Sequence, residues 1–204
     1  MKLVVFDLFG TLVQHQVRHS PYRQLIKYGQ AQGRRVRDTD AREIMSLNVD
    51  IVGIAKHFEI DVPPAFLDEL QCQIDEELSM MTLFDDVLGT IAVLNESNIP
   101  MAICSNLAMP YGVAIDDLLG EFQFSKFLSY EMGCIKPDQQ IYRKICETTH
   151  VSAKETLFVG DNLICDYIGP SNFGFHARHL NRHGGCSGIT VKNLNHVLSI
   201  VSGR

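Results

Sequence analysis

The stretch VVFDLFGTLV, residues 4–13, decides the fold. Lys2–Phe6 is a short, continuous apolar run, and such a run fits a strand buried on both faces of a parallel sheet. It ends in one acid, Asp7, followed by the tight turn Gly10-Thr11, with Phe9 between them. In open α/β folds, ligands bind outside the carboxyl ends of the strands. A carboxylate aimed out of such an end is therefore a candidate for chemistry.

From Pro21 to Met81 the pattern becomes helical. Helices are expected near Pro21–Gly33, Thr39–Phe58 and Pro63–Met80, with caps from Asp38-Thr-Asp40 and a break at Val62-Pro-Pro64. Asp68, Glu69, Asp75, Glu76 and Glu77 of the third helix read as a solvated face. After Met81, helices near Asp85–Glu96, Val113–Leu119, Gln139–Thr149 and Ile164–Phe173 alternate with strands at Met101–Cys104, Phe127–Tyr130, Thr156–Val159 and Phe175–His179. Val191–Val201 reads as a last helix or short strand. This alternation implies an open parallel sheet with helices on both faces and a helical insertion after the first strand.

The composition suits an ordinary globular chain. It has 204 residues, 46% hydrophobic and 21% charged, enough to bury a real core. A net charge of −6 disfavours nucleic acid as a partner and leaves an anionic substrate dependent on a local positive site. No apolar run approaches the roughly 20 residues of a membrane span, and Asp7 breaks the only apolar start, so no secretory leader is expected. The six cysteines contain no CxxC pair and read as buried free thiols of a cytoplasmic protein.

Each strand end carries polar chemistry. Asp7, Gly10 and Thr11 follow the first, and Ser105-Asn106 follow the second. Lys136-Pro137 lie beyond the third, and Gly160-Asp161-Asn162 with Asp166 beyond the fourth. Three converging carboxylates repel one another unless a hard divalent cation such as Mg²⁺ compensates. Lys136 and Ser105 would then hold an anion against that metal, which is a site for phosphoryl transfer. An Asp carboxylate serves as nucleophile through an acyl-phosphate.

These motifs, in this order, resemble those of the haloacid dehalogenase (HAD) superfamily: Asp7-Leu-Phe-Gly-Thr11, Ser105-Asn106, Lys136-Pro137 and Gly160-Asp161-Asn-Leu-Ile-Cys-Asp166. Leu180-Asn181-Arg182 is similar to a feature of the branch with a helical cap. The resemblance implies a Rossmann-like core formed by residues 1–14 and 82–204, with a cap over 15–81. It implies Asp7 as nucleophile, Ser105 and Lys136 as catalytic partners, substrate-binding residues at Phe9, Gly10, Thr11 and Asn106, and help for the phosphate from backbone N–H groups around Gly10 and Asn106. It implies Mg²⁺ held by Asp7, Asp161, Asp166 and the Phe9 carbonyl. The substrate expected is a small phosphorylated metabolite.

Phe9 departs from the pattern. The family's phosphatases place a second Asp there, which protonates the leaving group and activates water. The family's dehalogenases carry an aromatic there, but lack the acidic fourth motif that this chain keeps in Asp161 and Asp166. A slow phosphatase, a 2-haloacid dehalogenase and a binding protein without activity all remain open on this residue. Phe9 is expected to pack against the cap. His15 and His19, near the expected hinge, are read as solvent histidines, His15 being within reach of the site. His176, His179, His183 and Cys186 fit no zinc spacing.

Overall fold

The computed structural model describes residues 1–185 and 188–202. The chain opens with β1 (Leu3–Phe6) and, after a tight turn, β2 (Val13–His15). Four helices follow: α1 (Pro21–Ala31), α2 (Asp40–Ser46), α3 (Ile51–His57) and α4 (Pro64–Ser79). β3 (Met81–Leu83) then returns antiparallel to β2, so the four helices are inserted between the two strands of a hairpin. Next come α5 (Val87–Glu96), β4 (Met101–Ser105), α6 (Ala114–Leu119), β5 (Ser125–Leu128), α7 (Ser129–Met132) and α8 (Gln139–Thr149). The chain ends with β6 (Thr156–Gly160), α9 (Gly169–Phe173), β7 (His176–Leu180), β8 (Thr190–Val191) and α10 (Asn195–Ser202).

Six strands form one parallel sheet in the order β5-β4-β1-β6-β7-β8. β1 is central, with Val5 opposite Ala102 on one side and Phe158 on the other. The pleat sends Val4, Phe6, Ile103 and Val159 into one apolar layer. Leu3, Val5, Ala102 and Phe158 enter the other, beneath α8 and its Ile141, Tyr142 and Ile145. A strand apolar at every position is what two covered faces require. Because β4, β1 and β6 are neighbours, their carboxyl ends finish side by side. No helix among the described residues is long and apolar enough to cross a membrane.

The expected parallel α/β sheet is present, and several element boundaries move. The helix expected over Thr39–Phe58 is two helices, broken at Leu47–Asp50, where the Asp50 carboxylate caps α3 by accepting from Gly53 N at 2.7 Å. Asp40 is no cap. It is buried, and it accepts a two-pronged contact from Arg34 at 2.7 and 2.6 Å and a further one from Arg37 at 3.2 Å. The third sheet strand is Ser125–Leu128 rather than Phe127–Tyr130, because Ser129 already begins a helical turn. The expected helix over Ile164–Phe173 is a wide turn at Leu163–Ile168 followed by α9. Val191–Val201 divides into β8 and α10. The β2–β3 pair is too short to leave an alternating pattern.

The acids of α4 are not all solvated. Asp68, Glu69, Asp75 and Glu76 are exposed, but Glu77 is buried in line with Leu70 and Ile74. Its Oε1 accepts from the main-chain N–H groups of His19 and Ser20, and its Oε2 accepts from the Tyr111 hydroxyl. Two more contacts hold the inserted helices to the sheet: the Ser129 hydroxyl donates to Met45 O, and Arg42 pairs with Asp138.

Candidate active site

Asp7 leaves β1 with its N–H donated to Val159 O at 2.9 Å, and its side chain is 9% exposed. Oδ1 accepts from Lys136 Nζ at 2.7 Å and from the Ser105 hydroxyl at 3.2 Å. Thr11 Oγ1 approaches Oδ2 at 3.4 Å and accepts from Asp161 N at 3.1 Å, so one hydroxyl ties the first motif to the fourth. The intervening loop folds tightly on itself: Leu12 and Val13 both donate to Leu8 O at 2.8 Å. Gly10 has φ +83°, and a Cβ there would lie 2.2 Å from Asp161 Oδ2. Only glycine gives both this left-handed backbone and this close approach.

Lys136 reaches the site from a loop held by Asn106. The Asn106 amide donates to Lys136 O at 2.8 Å and accepts from Lys136 N at 2.7 Å. Lys136 Nζ also contacts Asp166 Oδ1 at 2.6 Å. Asp166 Oδ2 accepts from Asn162 N at 2.9 Å, and the Asn162 carboxamide caps the wide turn through Ile164 N and Cys165 N. Oxygens of Asp7, Asp161 and Asp166 all lie within 4.8 Å of one another.

The charge balance shows what the cluster lacks. Burial would strip Lys136 of its proton, but Asp166 and Asp7 outweigh it and hold the ammonium well above its ordinary pKa. Burial pushes Asp166 up to about 6, helped by Asp7 and opposed by Lys136. Burial, then Asp7, also raises Asp161. Three carboxylates around one ammonium are short of positive charge. The donor set is all hard oxygen, which fits Mg²⁺ and does not fit a soft metal.

The structure therefore brings Asp7, Ser105, Lys136, Asp161 and Asp166 together, with Thr11 bridging them. The Gly10 N–H, expected to help bind the anion, is donated to Val13 O at 2.8 Å. The Asn106 side chain is spent on the Lys136 main chain. Glu77 was not legible as a site-building residue, although it does fall on the apolar stripe of its helix, and the capping role of Asn162 was not foreseen. Arg182 anchors the loop after Asp7 by donating to Thr11 O at 2.7 Å, and it pairs with Asp86 at 2.9 Å. Of the histidines, His179 Nε2 lies 3.0 Å from Asp161 O, and His19 pairs with Glu76 at 2.9 Å. Cys186 lies outside the described residues.

Phe9 packs among other rings. Its ring stacks on His15 with centroids 4.6 Å apart and meets Tyr111 edge-on at 6.2 Å. It lines both the Asp7 pocket, about 160 Å³, and a second cavity of about 330 Å³ roofed by the inserted helices.

A family model described as haloacid dehalogenase-like hydrolase matches residues 1–174. Among solved structures, a HAD phosphatase from Thermococcus onnurineus is 20% identical, with TM-score 0.69 over 100% of this chain and 99% of that one. The L-2-haloacid dehalogenase of Xanthobacter autotrophicus is 19% identical, with TM-score 0.66 over 100% and 99%. A HAD family enzyme from Bacteroides thetaiotaomicron, solved with magnesium and inorganic phosphate, is 19% identical, with TM-score 0.64 over 92% and 98%. At these identities the likeness speaks to the fold alone. Among curated proteins, none matches the sequence.

Proposed function

Because the chain belongs to the haloacid dehalogenase-like hydrolase family, we propose that it is a Mg²⁺-dependent phosphatase working through a phosphorylated Asp7. The observation that carries this reading is Asp161, kept within 4.8 Å of Asp7 and Asp166 in a cluster short of positive charge. A dehalogenase displaces halide with one carboxylate and has no use for two more. In this reading Asp7, Asp161, Asp166 and the Phe9 carbonyl would hold Mg²⁺, which supplies charge neutralisation for phosphoryl oxygens when bound. Residues 15–81 act as the cap over a core of residues 1–14 and 82–204. The free cysteines among the described residues suit a cytoplasmic setting.

The chain's own groups divide the work. The Asp7 carboxylate attacks phosphorus. A bond forms to its oxygen while the bond to the leaving oxygen breaks, and the electron pair departs on that oxygen. Lys136 and Ser105 fix the carboxylate by hydrogen bonds of 2.7 and 3.2 Å, so the attack begins from an oriented nucleophile. Lys136 stays charged and offsets the anion that enters. Thr11 and Gly10 keep Asp7 and Asp161 at their close spacing. Water then attacks the acyl-phosphate and releases phosphate, restoring Asp7. Phe9 supplies no proton to the leaving group and takes none from that water.

The aromatic at Phe9 favours a second reading, in which Asp7 displaces halide from a 2-haloacid. One assay separates the two. Acetyl phosphate and 2-chloropropionate are each offered with and without Mg²⁺, and phospho-Asp7 is sought by mass spectrometry after acid quench. Mg²⁺-dependent phosphate release that is lost in Asp7→Asn, with the adduct at Asp7, is the expected result. Chloride release without metal would overturn it.

A further inference from the structure

We propose that the group displaced from phosphorus is an aromatic ring carrying a hydrogen-bond acceptor, seated in the cavity between Phe9 and the inserted helices; this rests on the phosphatase reading. Phe9 and Asn106 line both that cavity and the Asp7 pocket, so a molecule whose phosphate meets Asp7 extends into it. The walls are aromatic and aliphatic: Phe9, Tyr22 and Tyr111, with Ile44 and Leu107. Tyr22 and Tyr111 also face each other, with centroids 6.4 Å apart. Flat apolar faces suit a ring and give a sugar's hydroxyls little to bond.

The polar groups of the cavity specify the rest. The one acid in its lining, Glu77, is fully engaged by His19 N, Ser20 N and the Tyr111 hydroxyl, so it offers a substrate nothing. The Tyr22 hydroxyl and His15 Nδ1 are closed off from the cavity space and offer a ligand nothing as they stand. Arg18, the permanent cation of the lining, is exposed and forms no ion pair among the described residues. A guanidinium calls for an acceptor, best a carboxylate. The chemistry at phosphorus agrees. With Phe9 in place of an acid, the leaving oxygen departs as an anion. An aryl oxide is stabilised by its ring and leaves with the electron pair of the broken P–O bond, taking its proton from solvent afterwards.

Competitive inhibition of acetyl phosphate turnover tests this without relying on leaving-group reactivity. Phenylphosphonate should inhibit about tenfold more tightly than methylphosphonate, because ring burial is worth at least about 1.4 kcal/mol. 4-Carboxyphenylphosphonate should bind a further several-fold more tightly, and Arg18→Gln should erase that increment. Arg18 is exposed and forms no ion pair among the described residues, so its replacement leaves folding intact. Equal inhibition by the phenyl and methyl compounds would overturn the cavity assignment while the phosphatase reading stood. A carboxylate increment unmoved by Arg18→Gln would overturn the acceptor. Absence of any acetyl phosphate turnover would remove both readings.

Discussion

Gly10 and Phe9 stand beside each other in the loop after Asp7 and answer to opposite constraints. Gly10 is required by space: a methyl group would sit 2.2 Å from Asp161 Oδ2 on a backbone at φ +83°. Gly10→Ala should destabilise the fold by about 1–3 kcal/mol. It should also push Asp161 aside, so calorimetry should find Mg²⁺ binding weakened at least tenfold. Unchanged affinity would mean that the Asp161 carboxylate is not a ligand. Phe9 is held by its ring contacts and, in the proposed reaction, leaves the place of an acid/base empty. Phe9→Asp should restore proton transfer and raise hydrolysis of an alkyl phosphate by up to about 10²–10⁴-fold, with a smaller gain for 4-nitrophenyl phosphate, whose leaving group needs no proton. The ring's contacts with His15 and Tyr111 are lost, so circular dichroism must first show a folded variant. No gain on any ester would count against the phosphatase reading. Asp7, Ser105 and Asp161 were legible in the sequence because each stands at the end of an apolar run whose direction is known, and Lys136 and Asp166 because they complete the ordered motifs that follow the later strands. Glu77 and Tyr22 were not, because a polar residue on a helix shows its burial only when its tertiary neighbours are in place.

At the scale of elements, what was legible followed hydrophobic period, and what was missed depended on local hydrogen bonds. The strands around β1 are continuous apolar runs and were found nearly in register. The break between α2 and α3 rests on the Asp50 cap, and the wide turn at Leu163–Ile168 rests on Asn162 accepting from two N–H groups. Neither leaves a mark on periodicity. The α1–α2 connection shows the same local control. Arg34 and Arg37 converge on buried Asp40 and hold its carboxyl down from 3.8 to about 2, mainly through the Arg34 hydrogen bonds. A carboxylate with a lowered folded-state pKa contributes stability that is complete above the unfolded value and lost as pH falls through the folded one. Urea midpoints should therefore drop between about pH 4 and 2 by an amount equivalent to about 2 kcal/mol. Asp40→Asn should remove that part of the slope. A wild-type slope in the variant would show that the buried pair is not stabilising the inserted helices.

For the whole molecule, the site lies where the carboxyl edge of the sheet meets the inserted helices, and it carries locally what the chain carries globally, an excess of negative charge. The net charge is −6, and three carboxylates share one ammonium at the centre. The raised pKa of Asp161 gives the sign of its contribution: burial and Asp7 make its charge unfavourable in the folded state. Removing that charge relieves the folded protein but removes one of the proposed metal ligands. Asp161→Asn should therefore melt at a higher temperature than wild type in chelator. Mg²⁺ at a hundred times its dissociation constant should stabilise the wild type by about 2.7 kcal/mol, a rise of about 5–10 °C for a chain of this size. Asp161→Asn should gain little from Mg²⁺, so the order of melting temperatures reverses on adding the metal. Calorimetric melts of both proteins, with chelator and with Mg²⁺, read this directly. A variant less stable than wild type in chelator would show that Asp161 contributes structure rather than charge. A variant that gains as much as wild type from Mg²⁺ would place the metal elsewhere.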